Sequence, residues 1–171
     1  MALPNYSKFF YIGFDTHDSL FMNHKIDIHR YSTSIHNISL RAIVSATESE
    51  DRVKTALSLF LFDNEIESTT TEGHYGNPII ILQAHVKGRD CKRFLENLKS
   101  KLTEPELKKL KNEIYERTDD ECCLHLRFDK QAAFQGTVQL ATTTDTISAR
   151  MKLKAYPAKR EKAIEVAETL F

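Results

Sequence analysis

From Cys123 to Phe128, and again from Ile147 onward, apolar and polar residues alternate with a period of two. In the first segment Leu124, Leu126 and Phe128 fall on one side and Cys123, His125 and Arg127 on the other. In the second, Ile147, Ala149, Met151 and Leu153 oppose Ser148, Arg150, Lys152 and Lys154. An extended chain sends successive side chains to opposite faces, so the pattern predicts two strands, each with one face in a core and the other wet or occupied. Tyr156-Pro157 should stop the second strand near Ala155, and Val138 to Ala141 is expected to pair with it as a hairpin.

The remaining elements supply what such strands need to pack against. Ile38, Leu40, Ala42 and Val44 alternate with Ser39, Arg41 and Ser45 as a first core strand. Thr47 with Glu50 reads as a capping box, opening a helix whose Val53, Ala56, Leu57 and Phe60 share a face and which should end near Asp63-Asn64. Ile66 to Thr71 is β-branched and polar, suited to an edge strand, and Ile79 to Val86 is a continuous apolar run expected at the sheet centre. Cys91, Phe94, Leu95, Leu98 and Leu102 form one helical stripe. Thr103 with Glu106 is a second capping box, with Pro105 in the first turn and Leu107, Leu110 and Ile114 facing inward. A last helix buries Ala163, Ile164, Ala167 and Leu170. This order predicts an α+β fold: an antiparallel or mixed sheet with helices packed on one face.

Glycine at 73 and 76, with Pro78, punctuates Glu72-Gly73-His74-Tyr75-Gly76-Asn77-Pro78 before the apolar run. Glycines enter backbone regions closed to other residues and proline fixes its own φ, so a rigid loop should hold His74, Tyr75 and Asn77 at one end of the sheet. Formal charge cancels at 24 basic against 24 acidic residues, which excludes a bulk polycation, yet the signs are segregated. Acids dominate from Glu48 to Glu72; from Arg127 to Lys162, Arg127, Lys130, Arg150, Lys152, Lys154, Lys159, Arg160 and Lys162 face only Asp129, Asp145 and Glu161. Such a distribution suits a neutral protein with one polyanion-facing surface.

Residues 1 to 35 read as an extension, an added strand or arm or a poorly ordered leader, and residues 36 to 171 as a single domain. His17, His24 and His29 in the extension, and His36 just after it, are scattered without ligand spacing, so no metal is expected there. Three cysteines, two of them the neighbours Cys122 and Cys123, make neither a disulfide framework nor a zinc pattern, and reduced, buried thiols are expected. No apolar run has membrane-spanning length and the start lacks a secretory pattern, so the expectation is a cytoplasmic protein without a cofactor.

Gly73-His74-Tyr75-Gly76-Asn77-Pro78-Ile79, Leu126-Arg127-Phe128-Asp129-Lys130-Gln131-Ala132-Ala133 and Ile147-Ser148-Ala149-Arg150-Met151-Lys152-Leu153-Lys154-Ala155-Tyr156-Pro157 together resemble an archaeal RNA-binding family labelled predicted exosome subunits. The resemblance covers residues 36 to 171. It implies a fold similar to that of the ribosomal protein that carries 5S rRNA, and RNA as the partner, in structured form or in single-stranded loops. It implies no catalytic residue. On physical grounds Arg127, Lys130, Arg150, Lys152 and Lys154 are expected to contact phosphates, and His74, Tyr75, Asn77 and Gln131 to meet a base or ribose. Two alternatives are a metal-independent ribonuclease using His74 or His125, and a protein-interaction subunit of an RNA-processing assembly.

Overall fold

The computed structural model describes residues 34–73 and 76–171; residues 1–33 of the extension, with His74 and Tyr75, lie outside the described residues. Five strands, β1 (Ile35–Val44), β2 (Ile66–Glu72), β3 (Pro78–Lys87), β4 (Cys123–Asp129) and β5 (Thr146–Leu153), form one sheet in the order β2-β3-β1-β5-β4. Every pairing is antiparallel. The helices are α1 (Glu50–Ser58), α2 (Arg89–Lys101), α3 (Glu104–Arg117), the short α4 (Lys130–Phe134) and α5 (Arg160–Leu170).

Alternation decides which sheet face the helices cover. Ile38, Leu40, Ala42, Val44, Leu82, Ala84, Val86, Leu124, Leu126, Phe128, Ile147, Ala149, Met151 and Leu153 are all buried on one face. The apolar stripes of the helices close over them, with Val53, Ala56 and Leu57 from α1, Cys91, Phe94, Leu95 and Leu98 from α2, Leu110 and Ile114 from α3, and Ala163, Ala167 and Leu170 from α5. Phe60 stacks on Phe128 with ring centroids 4.7 Å apart and meets Phe94 at 6.2 Å, joining α1, α2 and the sheet in one core. Each such fully buried side chain contributes about 2 kcal/mol of transfer free energy. The α+β layering expected from the sequence is therefore the fold observed.

Five local expectations need correction. Helix α1 starts from Ser49 rather than Thr47: the Ser49 carbonyl accepts from the Val53 N–H at 3.2 Å, while the Glu50 carboxylate that a Thr47 box would need is held by Lys54 at 2.8 Å and by the Ser68 hydroxyl at 3.0 Å. It also ends at Ser58, well short of Asp63: the Phe60 and Leu61 N–H groups bond three residues back, to the Leu57 and Ser58 carbonyls, and Phe60 is buried in the core. The Thr103 box does form, with Glu106 accepting from the Thr103 N–H at 3.1 Å and its hydroxyl at 2.8 Å. Val138 to Ala141 does not pair with β5, whose two sides are taken by β1 and β4. It runs beside the end of β4 instead, through Asp129 N–H to the Gln139 carbonyl at 3.0 Å and Ala141 N–H to the Arg127 carbonyl at 2.9 Å. The central strand is β1, not β3, and β5 ends at Leu153, with Lys154 just beyond it.

Candidate nucleic-acid interface

The opposite sheet face carries no helix among the described residues, and its side chains follow from the register. Residues directly opposite on neighbouring antiparallel strands share a face and lie side by side. One row therefore reads Glu67, Gln83, Arg41, Ser148, Arg127 across all five strands. The next reads His85, Ser39, Arg150, His125, and the one after it Lys87, Asn37, Lys152, Cys123. Successive rows on one face stand roughly 7 Å apart and neighbouring strands about 4.8 Å. Arg41 and Arg127 thus flank Ser148 at roughly 10 Å, with Arg150 and Lys152 in the following rows of β5.

These cations are not equivalent. Among the described residues neither the Arg41 nor the Arg127 guanidinium has an ion-pair or hydrogen-bond partner, and both residues are exposed. Arg150 is paired with Glu121, and the Lys152 ammonium donates to the Glu121 carbonyl. Both groups of the Arg150 pair are largely open to water, where such a pair is worth little and is readily exchanged for a stronger anion.

Lys130 stands apart. Its side chain is 5% exposed, and its ammonium donates to the Ile43 carbonyl at 2.8 Å and to Glu48 at 3.0 Å while pairing also with Asp145. A buried charge has to be paired and hydrogen-bonded to be tolerated, and here all three donors of the ammonium are occupied. The expected phosphate contact at Lys130 is therefore replaced by a tether joining β1, the β1–α1 loop, α4 and the start of β5. The adjacent Gln131 is exposed and donates to Asp145 at 3.3 Å.

At the other end of β4, the turn before the strand is closed by the Cys123 N–H donating to Asp119 at 2.8 Å. Asp119 also lies 2.7 Å from His125 Nε2. Burial pushes the Asp119 carboxyl up, but the bonds from His125 and the Cys123 N–H outweigh it and hold it below the usual aspartate range. Burial, reinforced by Asp119, raises the Cys123 thiol, as burial raises that of Cys91. Asp119, Glu121 and Cys123 bring three possible ligand atoms within 4.8 Å of one another, but Arg150 and Lys152 already hold Glu121 and oppose a further cation. The cysteines are free and buried, as expected.

Two hollows flank Lys130. The larger, about 520 Å³, is lined by Arg41, Ile43, Ser45, Thr47, Glu48, Lys130, Thr144, Asp145, Thr146 and Ser148. The smaller, about 230 Å³, lies against α1 and α4 and is lined by Thr47, Glu48, Ser49, Arg52, Val53, Ala56, Lys130, Gln131 and Phe134.

The structure gathers the residues singled out from sequence into two groups. Arg127, Arg150 and Lys152 share the open face. Asn77 and Gln131 lie at the end of the sheet where β1 finishes and β5 begins, since β3 starts beyond Val44 in register. The loop before β3 is tight there: the Gly73 N–H donates to the Asn77 carbonyl at 2.8 Å, and a Cβ on Gly73 would come within 2.9 Å of Ile79. His74 and Tyr75 belong to this loop and lie outside the described residues. Lys154 is exposed past the end of β5, its backbone N–H donating to the Ser34 carbonyl at 2.8 Å. Sequence reasoning missed Arg41, Lys87 and His85, whose side chains join the surface only through the β1–β3 and β1–β5 registers. Arg41, alone between apolar neighbours in a core strand, was the available signal.

Comparison with known proteins places this geometry. A family model described as RNA binding matches residues 37–153. RNA-binding protein PAB1135 of Pyrococcus abyssi is 38% identical over 138 residues, spanning 76% of this chain and 89% of that protein. The uncharacterized protein MJ0213 of Methanocaldococcus jannaschii is 31% identical over 135 residues, spanning 74% and 90%. The crystal structure of AF2318 from Archaeglobus fulgidus, labelled DUF54, superimposes with a TM-score of 0.74 at 35% identity, covering 80% of this chain and 99% of that one. Mth689 of Methanothermobacter thermautotrophicus, a DUF54 protein, follows at 0.69 and 33%, covering 80% and 98%.

Proposed function

Because the chain belongs to this archaeal RNA-binding family, we propose that it is a non-catalytic RNA-binding protein whose helix-free sheet face is the RNA surface. One observation carries the reading: Arg41 and Arg127 stand unpartnered among the described residues, two strands apart in a single row, with Arg150 and Lys152 in the next rows. Unpaired guanidiniums on a rigid sheet lose no existing partner when they meet phosphates, and they bind phosphate bidentately. Arg150 and Lys152 join by releasing Glu121, and Lys154 extends the positive edge. Asn77 and Gln131, with His74 and Tyr75, contribute base or ribose contacts at the far end. An accessory role in archaeal RNA processing or at the exosome, on a fold similar to that of the 5S-rRNA-carrying ribosomal protein, is the setting we favour.

A salt titration of RNA affinity tests the surface. The slope of log affinity against log salt should fall by about one unit in Arg127→Met, and likewise in Lys152→Met. Unchanged slopes in both would remove the sheet face from the RNA footprint.

A ribonuclease reading has one supporting contact, since Asp119 holds His125 at 2.7 Å as an orienting carboxylate holds a general base. Prolonged incubation with labelled structured RNA separates the two readings: cleavage that disappears in His125→Ala would make the protein an enzyme.

A further inference from the structure

We propose that the two hollows beside Lys130 hold one unstacked nucleotide of single-stranded RNA, with its base against Phe134; this rests on the open face being the RNA surface. Phe134 is 41% exposed on α4, whose other side is anchored by buried Ala132 and Ala133. The helix start is fixed by the Asp129 carboxylate, which accepts from the Ala132 N–H at 2.7 Å. An aromatic ring is thus offered to the smaller hollow by a rigid support. The Arg52 guanidinium carbon lies 5.8 Å from the ring centroid. Unpaired bases stack on aromatic rings and on guanidinium planes. Gln131 lines the same hollow and spends its amide N–H on Asp145, leaving the amide oxygen to accept from a base N–H.

The larger hollow suits the rest of the nucleotide. Its charged side chains cancel, Arg41 and Lys130 against Glu48 and Asp145, so a polyanion gains little there. Hydroxyls of Ser45, Thr144, Thr146 and Ser148 line the space and can meet a ribose, while Arg41, whose guanidinium has no partner among the described residues, takes a single phosphate. A volume of about 520 Å³ falls in the range of small-molecule sites. The hollows share Thr47, Glu48 and Lys130, and Arg41 belongs to both the larger hollow and the cationic row, so a strand on the sheet face reaches the recess without a gap. A paired base enters only at the cost of breaking its pair and its stack. The site therefore selects single strands and loops over duplex.

The test compares a short mixed-sequence single-stranded RNA with an RNA duplex of equal length. Phe134→Leu keeps an apolar side chain but removes the ring face. It should weaken single-strand binding about tenfold, as loss of one stacked base does, and change duplex binding less than about twofold. Phe134→Tyr should restore the wild-type value, and photo-crosslinking of 5-iodouridine-substituted RNA should place an adduct on Phe134. Unchanged single-strand affinity in Phe134→Leu with adducts elsewhere would overturn the subsite. So would equal weakening toward both RNAs accompanied by a lower Tm, the mark of a packing defect. In either case Arg127→Met still weakening both RNAs leaves the sheet-face reading standing, whereas Arg127→Met binding both like wild type defeats that reading itself.

Discussion

Lys130 and the Arg41–Arg127 row lie close together and carry the same sign, yet the fold uses them in opposite ways. Lys130 is shut away beneath Glu48, Asp145 and the Ile43 carbonyl, while the two arginines stand exposed without partners among the described residues. A buried charge must be satisfied by its own protein, so Lys130 contributes to cohesion. An exposed and unpartnered charge costs the fold little and remains available to a ligand. A cation's job is thus set by its partners rather than by its residue type or its neighbours in the chain.

Substitutions that separate these roles should differ in size and in what they disturb. Lys130→Met leaves Glu48 and Asp145 facing each other without a counter-charge and should lower unfolding free energy by about 3 kcal/mol, read from urea denaturation. The salt slope of RNA binding by the protein that remains folded should not change. Arg127→Met should do the reverse, weakening RNA binding several-fold at moderate salt with Tm unchanged. If Lys130→Met lowered the slope and Arg127→Met lowered the Tm, the division would be drawn backwards. Glu121→Gln releases Arg150 and frees the surface of a competing carboxylate. It should tighten RNA binding about two- to threefold at low salt, a gain that vanishes at high salt.

The smallest effect is a pH dependence. Asp119 has its folded-state value held below the ordinary aspartate range, so the stability it contributes is fully present above that range and is lost as pH falls through the lowered folded value. Asp119→Asn should therefore flatten the acid limb of the stability profile, followed by circular dichroism between about pH 5 and pH 2. It should leave neutral-pH RNA affinity within about twofold of wild type, since no phosphate contact is removed. An unaltered acid limb would mean that the turn is not held by this carboxylate.

The strands β4 and β5 were legible because period-two alternation is a property of the chain itself, and Arg127, Arg150 and Lys152 came out on the face assigned to them. The two capping-box patterns show where such legibility ends. Thr103 with Glu106 closes locally, whereas Glu50 of the other pattern is taken by Lys54 and by the Ser68 hydroxyl 18 residues further on, and α1 starts from Ser49 instead. Lys130 itself sits in a polar stretch, and nothing within that stretch announces a carbonyl partner 87 residues earlier. The pairing of Val138 to Ala141 was misjudged for a related reason. Its Leu140 N–H donates to Glu106 at 3.0 Å and its backbone follows β4, contacts decided by which strand edge was free once β1 had taken the other side of β5.

The amino-acid order alone determined that there would be an amphipathic sheet, that helices would cover one of its faces, and that β5 would bring positive side chains to the other, because backbone geometry converts spacing into sidedness without reference to anything distant. Tertiary structure decided which cations stay available. Antiparallel register set Arg41 two strands from Arg127, and burial beside Glu48 and Asp145 withdrew Lys130, because pairing and desolvation depend on neighbours that only the folded chain brings together.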